Sequence, residues 1–149
     1  MTVEAGSIVS NVTLKIRALL ASGLTDPISS SRPNGSYLVN TSWPEKNQIY
    51  PIVVIDVKMQ NATRMGAYNS YSMEVPIQAK ISTFANSRSG ADLMGGEIFN
   101  ILRNSQFSGA STHDFGLHDF QLTNEFPIDE PGRFGIHRQV QTYSYLVVI

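Results

Sequence analysis

Tyr50 to Val57 reads YPIVVIDV and Tyr71 to Phe84 reads YSMEVPIQAKISTF, and the difference between the two patterns decides the fold class. The first is β-branched and apolar on both alternations until Asp56, which predicts a strand covered on both faces and central in its sheet. The second alternates. Met73, Val75, Ile77, Ala79 and Ile81 point one way, and Glu74, Gln78, Lys80 and Ser82 the other. A period of two predicts a half-buried antiparallel strand, and Pro76 marks its first half as an edge or a bulge.

Helical spacing flanks this pair on both sides. Upstream, Ile8, Val12, Ile16, Leu19 and Leu20 recur at steps of three and four, predicting an amphipathic helix to Ser22 with Gly23 as its C-cap. Downstream, Ser89 stands three residues ahead of Asp92 in the manner of a capping box. Ala91, Met94, Ile98, Ile101 and Leu102 then form a stripe that predicts a second helix to Asn104. Gly95 and Gly96 inside that helix cost about 1 kcal/mol each relative to alanine. Either another backbone approaches closely there, or the helix tolerates them.

Residues 23–49 are rich in Pro, Ser, Asn and Gly and read as a long loop. Loops of that length tend to be functional or ordered by a partner, which singles out Tyr37 to Pro44, with Trp43, as a contact segment. Residues 105–116 read as loop, Leu117 to Phe126 as a strand, and PIDEPGRFG from Pro127 as a turn-rich connection. Val140 to Ile149, VQTYSYLVVI, is a strong strand whose apolar end must be covered by the sheet or by a neighbour. The prediction is a single α+β domain over 1–149. Its order is α-β-β-α-β-β, with one antiparallel or mixed sheet of about four strands and two helices packed on it.

Composition narrows the function. Eleven basic residues against twelve acidic give a net charge of −1, without a basic run. Sequence-specific or phosphate-driven nucleic-acid binding is therefore not expected. The charged fraction is 15%, well below the roughly 25% of ordinary soluble domains, and Ser, Thr, Asn and Gln take its place. Such a surface suits burial against partner subunits. With no cysteine, thiolate and redox chemistry are excluded. The opening MTVEAGSIVSNVTLKI has no basic region followed by an apolar block, and no apolar run approaches the roughly 18 residues of a membrane span. Folding in a reducing cytoplasm, with no membrane partner, is the expectation.

The search for chemistry yields little. His113-Asp114-Phe115 and His118-Asp119-Phe120 bring two imidazoles and two carboxylates close in sequence, but at no familiar metal-ligand spacing. A polar loop leading into a strand is the favoured reading. Neither a GxSxG elbow nor a GxxxxGK[ST] phosphate loop occurs, and Asp129-Glu130 between two prolines reads as a solvated turn. The expectation is no catalytic residue, no metal and no cofactor. Arg64, Met65, Tyr68 and Tyr71 lie between the first two strands, and these residue types are enriched at interfaces. Together with Trp43 they are the candidate interface residues.

The stretch YPIVVIDV, then Arg64, then YSMEVPIQAKISTFANSRSGADLMGGEIFNIL resembles the tail-terminator or tail-completion proteins of tailed bacteriophages. The shared pattern is a Pro-containing buried strand, a variable hairpin, an alternating strand ending in a small polar patch, and an Ala-containing helix closing with Ile or Leu. It spans residues 8–104, with the last strand consistent. The resemblance implies a structural virion protein: a homo-oligomeric ring, usually hexameric, that ends the tail tube and joins it to the head-tail connector. Its partners would be copies of itself, the tail tube protein and the neck proteins. Residues 105–139 are longer and richer in Gly and Pro than the family pattern, which leaves another neck position open. A sheet closing into a ring through neighbouring edges would also cover the apolar end at Ile149. A small enzyme using His113, His118 and Asp114, and a monomeric ligand-binding module, are the competing readings.

Overall fold

A computed structural model describes residues 8–33, 35–44, 48–60, 63–64, 73–107, 117–129 and 135–148. The elements in chain order are α1 (Ile8–Gly23), β1 (Val39–Asn40), β2 (Ile52–Met59), β3 (Thr63–Arg64), β4 (Met73–Ala85), α2 (Arg88–Phe107), β5 (Leu117–Asp129) and β6 (His137–Val148). The α+β class with one sheet and two helices is as predicted. The sheet runs β1-β2-β4-β6-β5, with β3 paired to β4 beside the end of β2. Every pairing of the long strands is antiparallel, and only the β1–β2 pair is parallel. Two strands of two residues each, β1 and β3, are therefore added to the predicted order.

Both helices pack on the same face of the sheet. α1 buries Ile8, Val12, Ile16 and Leu20, and α2 buries Ala91, Met94, Ile98 and Leu102. The sheet answers with Val53, Ile55 and Val57 of β2, Val75, Ile77, Ala79 and Ile81 of β4, and Tyr143, Tyr145 and Val147 of β6. Each fully buried aliphatic side chain contributes about 1.5–3 kcal/mol relative to an exposed one. The apolar end of β6 is covered at Val147 by this face, within the same chain.

Several local expectations need correction. β2 is not central, because β1 accompanies it only at Val53 and Val54 and leaves the rest of its outer side bare among the described residues. Its burial on both faces is confined to Ile52–Ile55, and Asp56, Lys58 and Met59 are exposed. Pro76 lies in an inner strand, where its carbonyl accepts the Gln60 N–H at 2.9 Å. Its nitrogen faces the same side, at the irregularity where four steps of chain from Met59 to Thr63 oppose three from Ile77 to Glu74. The bulge alternative was the right one. Ser82 is buried although it sits on the polar alternation.

The helix ends also differ. Ser87 is the N-cap of α2, its Oγ accepting the Gly90 N–H at 3.0 Å, while Ser89 is exposed. Gly23 is the last residue of α1 and has no positive φ. Its lack of a Cβ serves packing instead, since a Cβ there would lie 2.9 Å from Ile101 Cδ1 of α2. β5 continues through Pro127 to Asp129 instead of turning at the proline. A proline is tolerated there because β5 is an edge strand.

The long connection from α1 to β2 is tied down by one side chain. The Arg32 guanidinium pairs with the Asp26 carboxylate at 2.7 Å and donates to the carbonyls of Ile49 at 2.9 Å and Pro51 at 3.1 Å. Its side chain is only 6% exposed. Arg32 thus pins both ends of this loop, including the cis Tyr50–Pro51 peptide, against β2.

Candidate functional site

The face of the sheet opposite the helices carries the features that could meet another molecule. β-strand alternation places Asp56 and Lys58 of β2, Gln78 and Lys80 of β4, Thr142 and Ser144 of β6, and Gln121 and Asn124 of β5 on this face. Five of these eight are neutral polar side chains, and Asp56, Lys58 and Lys80 are charged.

At one end of this face the segment after β1 folds over the sheet. Trp43 stands edge-on to Phe84, with ring centroids 4.8 Å apart, and lies 6.5 Å from Tyr50. Arg138, opposite Phe84 in the β4–β6 pairing, places its guanidinium 5.2 Å from the Phe84 ring centroid and donates from Nη2 to Ser82 Oγ at 3.1 Å. This stack explains why Ser82 is buried. A cleft of about 340 Å³ opens beside it, lined by Trp43, Asp56, Lys80, Ser82, Phe84 and Arg138 among others. Asp56 and Lys80 face one another across β2 and β4, and both are exposed. The cleft combines an aromatic wall with two cations and one carboxylate, a set that recognises ligands by stacking and ion pairing.

A second polar group lies on the helix side, between α2 and the last two strands. Arg88 Nη1 donates to Gln139 Oε1 at 3.2 Å, Gln139 Nε2 donates to Glu125 Oε1 at 2.9 Å, and Gln141 Nε2 donates to the Gly95 carbonyl at 2.9 Å. A Cβ on Gly95 would lie 3.3 Å from Gln139 Cγ, whereas one on Gly96 would meet nothing within 4 Å. Neither glycine faces another backbone: Gly95 fits against two glutamine side chains, and Gly96 is merely tolerated. Tyr143 and Tyr145 are buried next to this layer, and burial pushes both phenols well above the usual value of 10.0. Phe120 stacks on Tyr143 at 5.4 Å and joins β5 to this cluster.

Of the sequence-predicted interface residues, Trp43 is half-buried in the aromatic stack and so supports the fold as well as the surface. Arg64 lies in β3, and Met65, Tyr68 and Tyr71 fall outside the described residues. His113 and Asp114 also fall outside them, and of His118 only the backbone position, opposite Leu146, is described. No group of three or more metal-ligating side chains occurs among the described residues. No helix among them is long and apolar enough to cross a membrane. Sequence reading missed Arg138 and Phe84 as partners, because only the register of β4 against β6 brings them together. No protein-family model matches the chain, and no curated protein matches it.

Proposed function

We propose that this chain is a structural subunit that works by assembling with copies of itself into a closed ring, as a tail terminator of a phage particle does. In that reading the ring, of about six copies, caps the tail tube and joins it to the head-tail connector, with the tail tube protein and neck proteins as partners. Its place is the virion, and it carries no catalytic role. The observation that supports it most is the one-sided layering of the fold. Two helices cover one face of the sheet, and the other face is broad, polar and, beyond the Trp43 segment at one end, uncovered among the described residues. Its Gln, Asn, Ser and Thr side chains lose less on desolvation than charged ones do, which lowers the cost of burying this face against a subunit. Negative-stain imaging of the purified protein tests this: the reading expects closed annular particles of uniform diameter, and a field without them counts against it.

The Trp43 cleft favours a second reading, a monomeric module that binds a small ligand. Its volume of about 340 Å³ lies within the range of ligand sites. A monomer with a ligand co-purifying in stoichiometric amount would establish that alternative.

A further inference from the structure

The two outer edges of the sheet are protected at the same end and bare at the same end. β1 shields β2 at Val53 and Val54, with the Val53 N–H donating to the Leu38 carbonyl at 2.8 Å. Following the pairings across the sheet from Val53 leads through Thr83 and Gln139 to Pro127. The Pro76 carbonyl faces β2, so the odd-numbered residues of β4, Thr83 included, turn their backbone groups to β6, and Gln139 turns its own to Thr83. The nitrogen of Pro127 therefore lies on the outer side of β5, where it offers no donor. Proline and a covering strand are two standard ways of closing a sheet edge against pairing.

Below that row neither device appears among the described residues. The next rows run Ile55–Ile81–Gln141–Glu125 and Val57–Ala79–Tyr143–Leu122. The alternation that points the Val53 N–H outward also points those of Ile55, Val57 and Met59 outward, and on β5 it turns the backbone of Leu122 and Glu125 outward. In each row the two terminal residues share a face of the sheet, and both present backbone groups that no strand pairs among the described residues. β2 and β5 run in opposite directions, so a second copy related by rotation about an axis along the strands brings its β2 antiparallel to the first copy's β5.

Building on the ring reading, we propose that neighbouring copies join edge to edge. The outer side of β2 over Ile55–Met59 in one copy pairs with β5 over Gln121–Glu125 in the next, and the sheet continues from copy to copy with the helices on one side. The protected rows at the other end stop the pairing from sliding along the strands. Two different edges meeting head to tail form a heterologous contact, the kind that closes into rings.

The chain has no cysteine, so engineered pairs report this joint without background. Lys58 and Gln121 are exposed, lie on the open face and end one row, Lys58–Gln78–Ser144–Gln121. Within one chain they are separated by three strand spacings, about 14 Å, too far for a disulfide. The K58C/Q121C double variant, oxidised at the concentration where rings form, is expected to give bands at two, three and more chain masses that collapse on reduction. Each single variant is expected to stay at one chain mass. The pair D56C/N124C, from the next row of the same register, is expected to cross-link as well. Rings that persist in images while neither pair cross-links would overturn the joint and leave the ring intact. Wild-type protein that stays monomeric throughout would overturn both.

Discussion

The side chain of Gln141 donates to the backbone carbonyl of Gly95 at 2.9 Å, a bond from the middle of β6 to the middle of α2. Gln141 is 1% exposed. The helix can approach the strand closely enough to make this bond because position 95 has no side chain.

The two adjacent glycines of α2 therefore differ in role. Gly96→Ala meets open space and is expected to raise stability by about 0.5–1 kcal/mol through helix propensity alone. Gly95→Ala gains the same propensity, but its methyl group presses on Gln139 and Gln141. It is expected to fall at least about 1 kcal/mol below Gly96→Ala. Urea unfolding of the two variants decides this, and equal midpoints would contradict it.

Ser87 rather than Ser89 caps α2. Ser87→Ala is expected to cost about 1 kcal/mol, and Ser89→Ala, which loses no cap, only a few tenths. Reversed costs would place the cap where the sequence pattern alone put it.

The Arg32 guanidinium beside Asp26 holds its carboxyl below the usual value of 3.8, with the Ile28 N–H assisting and burial opposing. Because the folded pKa lies below the unfolded one, the pair's stabilisation is complete above about pH 4 and is lost as pH falls through the folded value. Asp26→Asn is expected to cost about 1.5–3 kcal/mol at pH 7. It should also flatten the fall in stability between pH 4 and the acid limit, read from urea midpoints across that range. An unchanged acid slope would show that Arg32 does not depend on Asp26.

The protein contains six tyrosines, and burial raises the phenols of Tyr143 and Tyr145. Both are expected to stay protonated while exposed tyrosines ionise, and to contribute to absorbance near 295 nm only when the chain unfolds. A folded pKa above the unfolded value of about 10 means stability is full below that pH and declines above it. Tyr143→Phe and Tyr145→Phe are expected to leave the early part of the titration unchanged. A smaller early amplitude in either variant would contradict the burial.

The long periodic elements were legible because their patterns report burial directly: Val75, Ile77, Ala79 and Ile81 all face the core, as do Ile8, Val12, Ile16 and Leu20. The position of β2 in the sheet was not. Its continuous apolar run reads as central, yet Ile52 is covered although its strand has only a two-residue neighbour on the outside. On that face Trp43 packs edge-on against Phe84, the neighbour of Ile52 in the β2–β4 pairing, a tertiary contact that period counting cannot see. Pro127 misled in the same way, since proline ends a strand by default and only an edge position permits it. The pairing of Arg138 with Phe84 joins residues far apart in sequence through register, which composition and spacing do not encode.

Self-assembly is what separates a ring subunit from a ligand-binding monomer, and the molar mass of the purified protein, measured by light scattering over a wide concentration range, reports it. The ring reading predicts a discrete species of about six times the 16.4 kDa chain, closing at one mass instead of growing with concentration. A mass equal to one chain at every concentration would contradict it.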